Sequence, residues 1–293
     1  MHLNYSKSDK FILLLNKIIL AIILLIVLLP LLYILLASFL EPNALLNKGL
    51  SLKASDWSLE GYKRILQNDA IIRGFINSII YSFGFAFITV VVSILAAYPL
   101  SIDGFVGKRL VMVFFLITMF FSGGLIPTYL VVKDLNMLNT MWAVLLPGAV
   151  SVWNIILART YFRGIPKELH EAARIDGASN LMIFLKIVLP LSKPIIFVLA
   201  LYAFVGQWNS YFDAMIYLED PNLHPLQLVL RSILIQNDVQ PGMISDQLAM
   251  AELKKISEMI KYSSIVISSL PLIVMYPFFQ KYFEKGVMVG SIK

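Results

Sequence analysis

Cysteine is absent from this 293-residue chain, and histidine occurs only three times. Without a cysteine sulfur, the chain can form neither a disulfide nor a thiolate metal site. The three histidines, His2, His170 and His224, form no cluster with metal-ligand spacing. A nucleophile elbow and a zinc-protease motif are missing as well. We therefore expect this chain to hold no metal and no catalytic residue.

Charged residues are also scarce. They make up 14% of the chain against 59% hydrophobic residues, and the mean hydropathy is +0.80. A soluble domain carries about 25% charged residues, so this composition indicates a protein of the lipid bilayer. The net charge of +6 is explained by the bases that membrane proteins retain near the cytoplasmic ends of their helices, and it requires no nucleic acid.

A phosphate-binding loop is a further absence. Nucleotide hydrolysis requires a glycine-rich loop whose amides surround the phosphates and a lysine that reaches the outer ones. The nearest string, GFVGKR at residues 104–109, has the wrong glycine spacing and lies in a short link between apolar runs. Any energy from ATP must therefore come from a separate subunit.

Long hydrophobic runs dominate the rest of the sequence. A helix needs about 20 residues to cross roughly 30 Å of hydrocarbon, and the chain contains six runs of about that length. The sequence thus predicts an all-α membrane protein of about six transmembrane helices in a single domain. The predicted spans cover about residues 18–39, 71–100, 110–132, 141–162, 189–212 and 262–283.

The distribution of lysine and arginine predicts the orientation. The N-terminus, the link near Lys108, the segment 159–193 and the C-terminal tail together hold 14 of the 24 basic residues but six of the 18 acids. Because basic residues stay on the cytoplasmic side, we expect residues 1–17 and 285–293 to be cytoplasmic. The transmembrane domain then covers residues 18–284, and an even number of spans agrees with this assignment.

Two long connectors, residues 40–70 and 214–261, fall on the opposite side. Each is too long for a simple turn between helices. In the second, the spacing of apolar residues in PNLHPLQLVLRSIL and SDQLAMAELKKISEMIKY is typical of short amphipathic helices. Such helices could cap the bundle or form a docking surface for an external partner, and the residues alone leave both possibilities open.

A polar segment between spans four and five, residues 163–188, has the pattern of two short helices joined by a bend. Pro166 suits a first helical turn, and Lys167–Asp176 contains strong helix formers. Gly177 can adopt the left-handed conformation that ends a helix, and Ser179 can cap the next one. The first helix presents a small apolar face, Leu169, Ala172 and Ala173, beside the charges of Glu168, Glu171 and Arg174.

At this segment the sequence resembles a known family. EAARIDGASNLMIFLKIVLPLSKP, residues 171–194, is similar to the signature of ATP-binding-cassette importer permeases. SGGLIPTYLVVKDLNMLNT, WAVLLPGAVSVWN and GQWNSYFDAMIYLEDPNLHPLQLVLRSILI resemble the sugar-importer branch, of maltose type and of multiple-sugar or lipooligosaccharide type. The resemblance covers nearly everything after residue 70. The signature positions that match are Glu171, Ala172, Ala173, Asp176, Gly177, Phe184, Pro190 and Pro194.

The resemblance implies a set of partners. They are a homologous second permease, two ATP-binding subunits that hold ATP and Mg, an extracellular solute-binding protein and a carbohydrate substrate, in the cytoplasmic (inner) membrane of a bacterium. Cytoplasmic helices of such permeases dock into a cleft on the ATPase, which implies a coupling role for Glu168, Glu171, Ala172, Ala173, Arg174, Asp176 and Gly177. The C-terminal KYFEKGVMVGSIK also resembles the family's ending, which approaches the ATPases. The alternative for the loop is a solvated connection with no partner.

Polar and aromatic residues at membrane depth are candidates for the substrate path, because they are costly unless they face a cavity or another helix. Aromatic rings stack on sugar rings, while amides and carboxylates bind the hydroxyl groups. The alternative is that these side chains belong to an interfacial aromatic belt or to helix packing. The candidates are Gln207, Trp208, Asn209, Tyr211 and Asp213 at the end of span five, with Trp153 and Asn154 in span four as a second group.

Glycine and proline predict a weak point in span three. Gly123 and Gly124, with Pro127 one turn later, favour a weakened or kinked helix. The kink could act as a gate hinge or could only admit a close neighbouring helix. Pro190 and Pro194 are expected to set the entry angle of span five.

Other functions remain open at this stage. A secondary transporter would need a proton or ion relay, but no acidic residue lies securely at the bilayer centre, and Asp213 is near the outer edge. A permease for a noncarbohydrate solute and a transport-linked signalling subunit would share every feature of the coupling loop.

Overall fold

The protein is almost entirely helical. The structure, a computed structural model, describes residues 6–51, 53–236, 260–278 and 280. Over those residues the regular elements are helices, apart from one isolated antiparallel bridge between Leu40 and Trp57. The predicted all-α class is therefore confirmed. In chain order the α-helices are α1 (Lys7–Ala37), α2 (Pro42–Lys48), α3 (Glu60–Leu66), α4 (Asp69–Ser101), α5 (Lys108–Phe120), α6 (Leu125–Asp134), α7 (Trp142–Leu145), α8 (Val152–Arg163), α9 (Lys167–Ile175), α10 (Asn180–Ile183), α11 (Leu189–Leu191), α12 (Lys193–Trp208), α13 (Phe212–Tyr217), α14 (Leu226–Gln236) and α15 (Ile260–Phe278).

Three helices of the described chain, α1, α4 and α15, are each long and apolar enough to cross a membrane. Two bent pairs also qualify: α5 with α6, which meet at 111°, and residues 180–191 with α12, which meet at 75°. Counting each pair as one span gives up to five spans in the described residues, against the six expected from hydropathy.

The predicted single helix over residues 141–162 is wrong. The structure divides this segment into the four residues of α7 and the 12 residues of α8. At 1.5 Å per residue α8 is about 18 Å long, which is short of the hydrocarbon thickness. Pro147 and Gly148 interrupt the run, and the Ser151 hydroxyl accepts a hydrogen bond from the Asn154 amide to start a new helix.

The fifth predicted span is also shorter than expected from hydropathy. A π turn, Phe184–Val188, and α11 precede a break at Ser192, and α12 begins at Lys193. The break lies between Pro190 and Pro194, the two residues expected to set the entry angle. At the other end the helix stops at Trp208, and the Asn209 side-chain amide donates to the carbonyl of Val205 at 2.9 Å.

The chain divides into two units. Of the described residues, the first takes in 6–51, 53–68, 232–236 and 260–269. None of the membrane-length window of α1 is buried among the described residues. Beyond α1, the Ser38 hydroxyl lies 2.6 Å from the Tyr62 hydroxyl, and Phe39 stacks on Trp57. These contacts fold α2 and α3 back on the end of α1.

A buried carboxylate fixes the connector between α1 and α4. Asp56 accepts hydrogen bonds from the Ser51 hydroxyl at 2.6 Å and the Lys48 ammonium at 3.0 Å. The hydrogen bond from Ser51, reinforced by Lys48, lowers the pKa of Asp56 below its usual value. The carboxylate therefore stays ionised at neutral pH, and the turn it holds is lost only under acidic conditions.

Of the described residues, the second unit comprises 69–231, 270–278 and 280, with α4 packed against α12 and α8. The buried positions of α4 recur every three or four residues, as required of one helical face. Many of them are small, so neighbouring helices can approach closely. This face includes Gly74, Ser78, Ser82, Ala86, Thr89, Ser93 and Ala97.

The start of α4 also holds the segment that leads into α14. The Ser78 hydroxyl accepts a hydrogen bond from the Leu226 amide at 2.8 Å, and the Tyr81 hydroxyl donates to the carbonyl of Leu223 at 2.9 Å. Asn77 donates to the carbonyls of Asn222 and His224. The observed α14 agrees with the amphipathic helix expected in PNLHPLQLVLRSIL.

Some expectations concern residues outside the described part of the chain. They are most of the second amphipathic segment of the outer connector, the N-terminal residues 1–5, the end of the sixth predicted span and the tail 285–293.

Candidate functional site

The polar loop folds as the sequence predicts. It begins with α9, whose N-cap is Pro166, one position earlier than the first-turn place expected for that proline. At its end the Ala178 amide donates to the carbonyl of Ala173 at 2.9 Å, and the Gly177 amide donates to Arg174 at 3.0 Å. This pair of hydrogen bonds is a Schellman motif, and the φ of +80° at Gly177 is the left-handed conformation that the motif requires.

A second helix follows immediately. The Ser179 hydroxyl accepts a hydrogen bond from the Met182 amide at 3.3 Å, as expected of an N-cap. Tyr98 of α4 holds this helix in place, because its hydroxyl donates to the carbonyl of Asn180 and its ring lies 4.6 Å from that of Phe184. The loop is therefore a preformed helix, bend and helix that is anchored to the bundle.

The apolar surface of α9 that is open to a partner is smaller than the sequence predicted. Ala173 is buried in a core cluster that includes Phe162, Ile165 and Phe184. It anchors the loop to its own bundle, and in this conformation it cannot contact a partner. Ala172 and Gly177 are exposed.

The solvent-exposed surface of the loop carries both charged and apolar side chains. Glu168, Glu171, Arg174 and Asp176 are all exposed, as the coupling hypothesis requires. Ile175 is 86% exposed, and the sequence interpretation passed over it. A single exposed apolar side chain is ordinary on a protein surface, whereas several close together mark a partner surface. Leu169, Leu181 and Met182 are further exposed apolar side chains of the same loop.

An ion pair fixes the N-terminal end of the loop. The Lys167 ammonium donates to the Asp103 carboxylate at 2.5 Å, which connects α9 to the link between α4 and α5. This hydrogen bond lowers the pKa of Asp103 and raises the pKa of Lys167. Both groups therefore remain charged over a wide range around neutrality. Both side chains are solvent-exposed, so the pair positions the loop and adds little to overall stability.

The substrate-path candidates at the end of α12 separate into buried and exposed groups. Trp208 is fully buried, stacked on Phe204 and edge-on to Phe75 with centroids 5.5 Å apart. Gln207 is also buried, whereas Asn209 and Tyr211 are exposed and Asp213 is half-buried. Trp208 therefore packs helices together in this conformation, which was the alternative left open by the sequence.

The spacing of four residues from Gln207 to Tyr211, and from Asn209 to Asp213, does not place these side chains one helical turn apart. The i, i+4 relation of Gln207 to Tyr211, and of Asn209 to Asp213, requires a continuous helix. The helix ends at Trp208, and Tyr211 adopts φ −134° before α13 begins. Tyr211 instead packs under the Arg231 guanidinium, 5.1 Å from its ring centroid, and Arg231 also contacts the Met215 sulfur. Sequence spacing gave no signal for this contact with α14.

The second pair of candidates points in two directions. Trp153 is 55% exposed and Asn154 is buried, because neighbouring residues on a helix lie about 100° apart around its axis. Of the two side chains, only that of Trp153 is exposed in this conformation.

The expected weak point of span three is a full break. Gly124 has φ +84° and caps α6, while Pro127 occupies its first turn, where no helical amide partner is needed. The resulting bend of 111° is larger than a kink. Whether Gly123, Gly124 and Pro127 act as a hinge stays a prediction.

Metal-ligand groups are not found in the described part of the chain, where no cluster of three or more His, Asp or Glu side chains is placed to hold an ion.

Comparison with known proteins identifies a family. Residues 82–289 match the model of the binding-protein-dependent transport system inner membrane component. The polygalacturonan/rhamnogalacturonan transport system permease protein YtcP of Bacillus subtilis is 38% identical over 265 residues, covering 90% of this chain and 92% of that protein. Protein LplC of the same organism is 37% identical over 264 residues, covering 90% and 88%.

A solved structure is similar as well. It is described as a bacterial ABC transporter involved in the import of the acidic polysaccharide alginate. The two chains are 32% identical with a TM-score of 0.85, and the match covers 96% of this chain and 100% of the other.

Proposed function

Because this chain belongs to the family of binding-protein-dependent transport system inner membrane components, we propose that it is a permease subunit of an ATP-binding-cassette importer for carbohydrate. The observation that carries the proposal is the family match over residues 82–289. The similarity to sugar-transport permeases and to an alginate importer supports an oligosaccharide as the cargo. The chain itself would be noncatalytic, with ATP and Mg held by two partner subunits.

The proposed arrangement in the membrane has six spans within residues 18–284. Residues 1–17 and 285–293, together with the loop 163–188, would be cytoplasmic, and the connector 214–261 would face outward. The connector would help receive a solute-binding protein. A second, homologous permease would complete the translocation path.

The loop is proposed to couple ATP hydrolysis to this path. Its exposed charges and the apolar side chains of Leu169 and Ile175 form a face suited to a protein cleft. Because Ala173 and Phe184 pack into the bundle, displacement of the loop would be transmitted to α4 and α8. Closure of the two ATPases would thus move the transmembrane helices.

The substrate path is proposed to use the exposed members of the predicted set. Tyr211 and Trp153 offer aromatic rings, and Asn209 and Asp213 offer groups that can hydrogen-bond to hydroxyls. Gln207 and Trp208, which are buried, would hold these residues in position. Arg231, which lies over Tyr211, adds a positive charge beside these groups.

The test is ATP-dependent uptake into liposomes that contain the four-subunit complex, with and without the solute-binding protein. The panel should hold neutral and acidic oligosaccharides, since one similar importer carries an acidic polysaccharide. We expect uptake of one glycan class that requires both ATP and the binding protein. ATP hydrolysis stimulated by a binding protein without uptake of any glycan would favour a noncarbohydrate cargo or a signalling role instead.

A further inference from the structure

A cavity of about 880 Å³ lies where α5 begins, beside the link that carries Asp103. It is separate from the loop surface and from the substrate-path residues. Its rim is basic, formed by Lys108 and Arg109 of α5 and Arg159 of α8. Its wall is apolar and includes Met112 and Val113 of α5. The same opening thus combines cationic and hydrophobic surfaces.

The bundle holds two of the three basic side chains in place. Arg159 donates from Nε to the carbonyl of Leu100 at 2.9 Å, and Lys108 donates from Nζ to the carbonyl of Ile102 at 3.2 Å. Each contact uses one donor, whereas an ammonium has three N–H groups and a guanidinium has five. The remaining donors are available to an anion at a fixed position.

The three basic side chains of this rim lack an acidic ion-pair partner among the described residues. The three ion pairs recorded between described residues involve none of Lys108, Arg109 and Arg159. The nearby carboxylate of Asp103 is bound by Lys167. The rim therefore carries three positive charges that no described carboxylate neutralises within ion-pair distance, and it is complementary to an anionic group.

The apolar wall determines what kind of anion fits. Beyond the cavity, the exposed apolar surface of α5 continues along the helix through Phe114, Ile117 and Phe120. A free phosphate or a nucleotide would leave this wall unused. An amphiphile with an anionic head and hydrocarbon chains would cover the rim and the wall together.

We propose that this cavity binds an anionic phospholipid, with the headgroup phosphate held by Lys108, Arg109 and Arg159 and the acyl chains lying along α5. The proposal rests on the membrane arrangement proposed above, in which the link is at the cytoplasmic surface. Bound there, the headgroup would lie beside the link that the Asp103 and Lys167 pair joins to α9.

The test uses the assembled four-subunit complex in phosphatidylcholine nanodiscs that contain a photoactivatable phosphatidylglycerol. Peptides that cover residues 105–113 should be labelled more strongly by this probe than by a matched phosphatidylcholine probe. Arg109→Gln, which removes no described hydrogen bond, should lower the labelling about fivefold, and Lys108→Gln in the same chain should lower it further. Lys186→Gln removes an exposed charge outside the cavity and should leave the labelling unchanged.

Three outcomes would overturn the proposal. They are equal labelling by the two lipid probes, unchanged labelling in the Arg109 variant, and displacement of the probe by inorganic phosphate but not by chloride of the same ionic strength. The last would assign the rim to a free phosphate. Because labelling needs neither sugar nor ATP, a complex that transports sugar without selecting the anionic lipid would reject this inference alone. A complex that selects the lipid without transporting any sugar would reject the proposed function alone.

Discussion

At the residue scale, the coupling hypothesis depends on side chains that the fold leaves exposed. Glu171 is exposed on α9, one turn after Lys167, and the ion pairs recorded in the described chain do not include it. Glu171→Lys should reduce copurification of the ATPase, or uptake per ATP hydrolysed, by about fivefold or more, because an interface contact worth about 1 kcal/mol is lost. Membrane abundance should not change. Asp134→Lys reverses an exposed charge at the end of α6, away from the loop and from the proposed contact surfaces, and serves as the control. Equal behaviour of the two variants would count against a coupling role.

Trp208 is the residue for which burial changes the expected phenotype. Its ring is fully enclosed between Phe204 and Phe75, so Trp208→Ala leaves a cavity. The expected cost is about 3–5 kcal/mol of stability, which thermal unfolding of the detergent-solubilised complex would detect. Trp208→Phe should cost less because it keeps part of the ring volume. If Trp208→Ala retained full thermal stability and changed only the affinity for sugar, Trp208 would belong to the substrate path, as the sequence predicted.

At the element scale, the docking of α14 depends on a glycine in α4. A Cβ built on Gly74 would lie 3.2 Å from the Cα of Leu226 and 3.1 Å from a methyl carbon of Val229. Since backbone cannot yield as a flexible side chain can, Gly74→Ala should cost about 1–3 kcal/mol and raise hydrogen exchange in α14. Gly206→Ala in α12 is the matched control, because a Cβ there meets no atom within 4 Å. It should be neutral or slightly stabilising, as alanine is the better helix former. Equal exchange in both variants would mean that α14 can shift to accommodate the methyl group.

At the scale of the whole molecule, the lack of cysteine makes the proposed topology directly measurable. A single cysteine introduced at Glu168 should react with a membrane-impermeant maleimide only after the membrane is permeabilised. One introduced at Lys53, in the connector between α1 and α4, should react in intact cells. The native chain, which has no cysteine, provides the background. Reaction of both sites from the same side would contradict the six-span arrangement.

The sequence predicted the regular parts of the fold because their signals are local. Both ends of α4 and the C-terminal end of α1 lie within two residues of the predicted spans, although α1 begins 11 residues before its predicted start. The bend at Gly177 with its cap at Ser179 follows from turn chemistry within four residues. The single helix expected for span four is wrong because hydropathy continues across Pro147 and Gly148 while the helix does not. A sliding average of hydrophobicity is insensitive to a proline that breaks the hydrogen-bond pattern.

Within the candidate site, the sequence likewise predicted the local features and missed those that depend on contacts between distant segments. The exposed charges of α9 follow from its amphipathic pattern, but the inward position of Ala173 and the exposure of Ile175 depend on which face the bundle covers. The pairing of Asp103 with Lys167 joins residues 64 positions apart, so no local pattern contains it.

By itself, the sequence determined that this protein is helical, that it belongs in a membrane and that it carries a helix, bend and helix in its polar loop. Hydropathy, helix propensity and capping act over a few residues and can be read directly from their order. Only the tertiary structure decided that Trp208 packs helices together, that α4 needs a glycine beneath α14, and that three basic side chains meet above an apolar wall. Those outcomes depend on burial, and burial is set by contacts between segments that are distant in the chain.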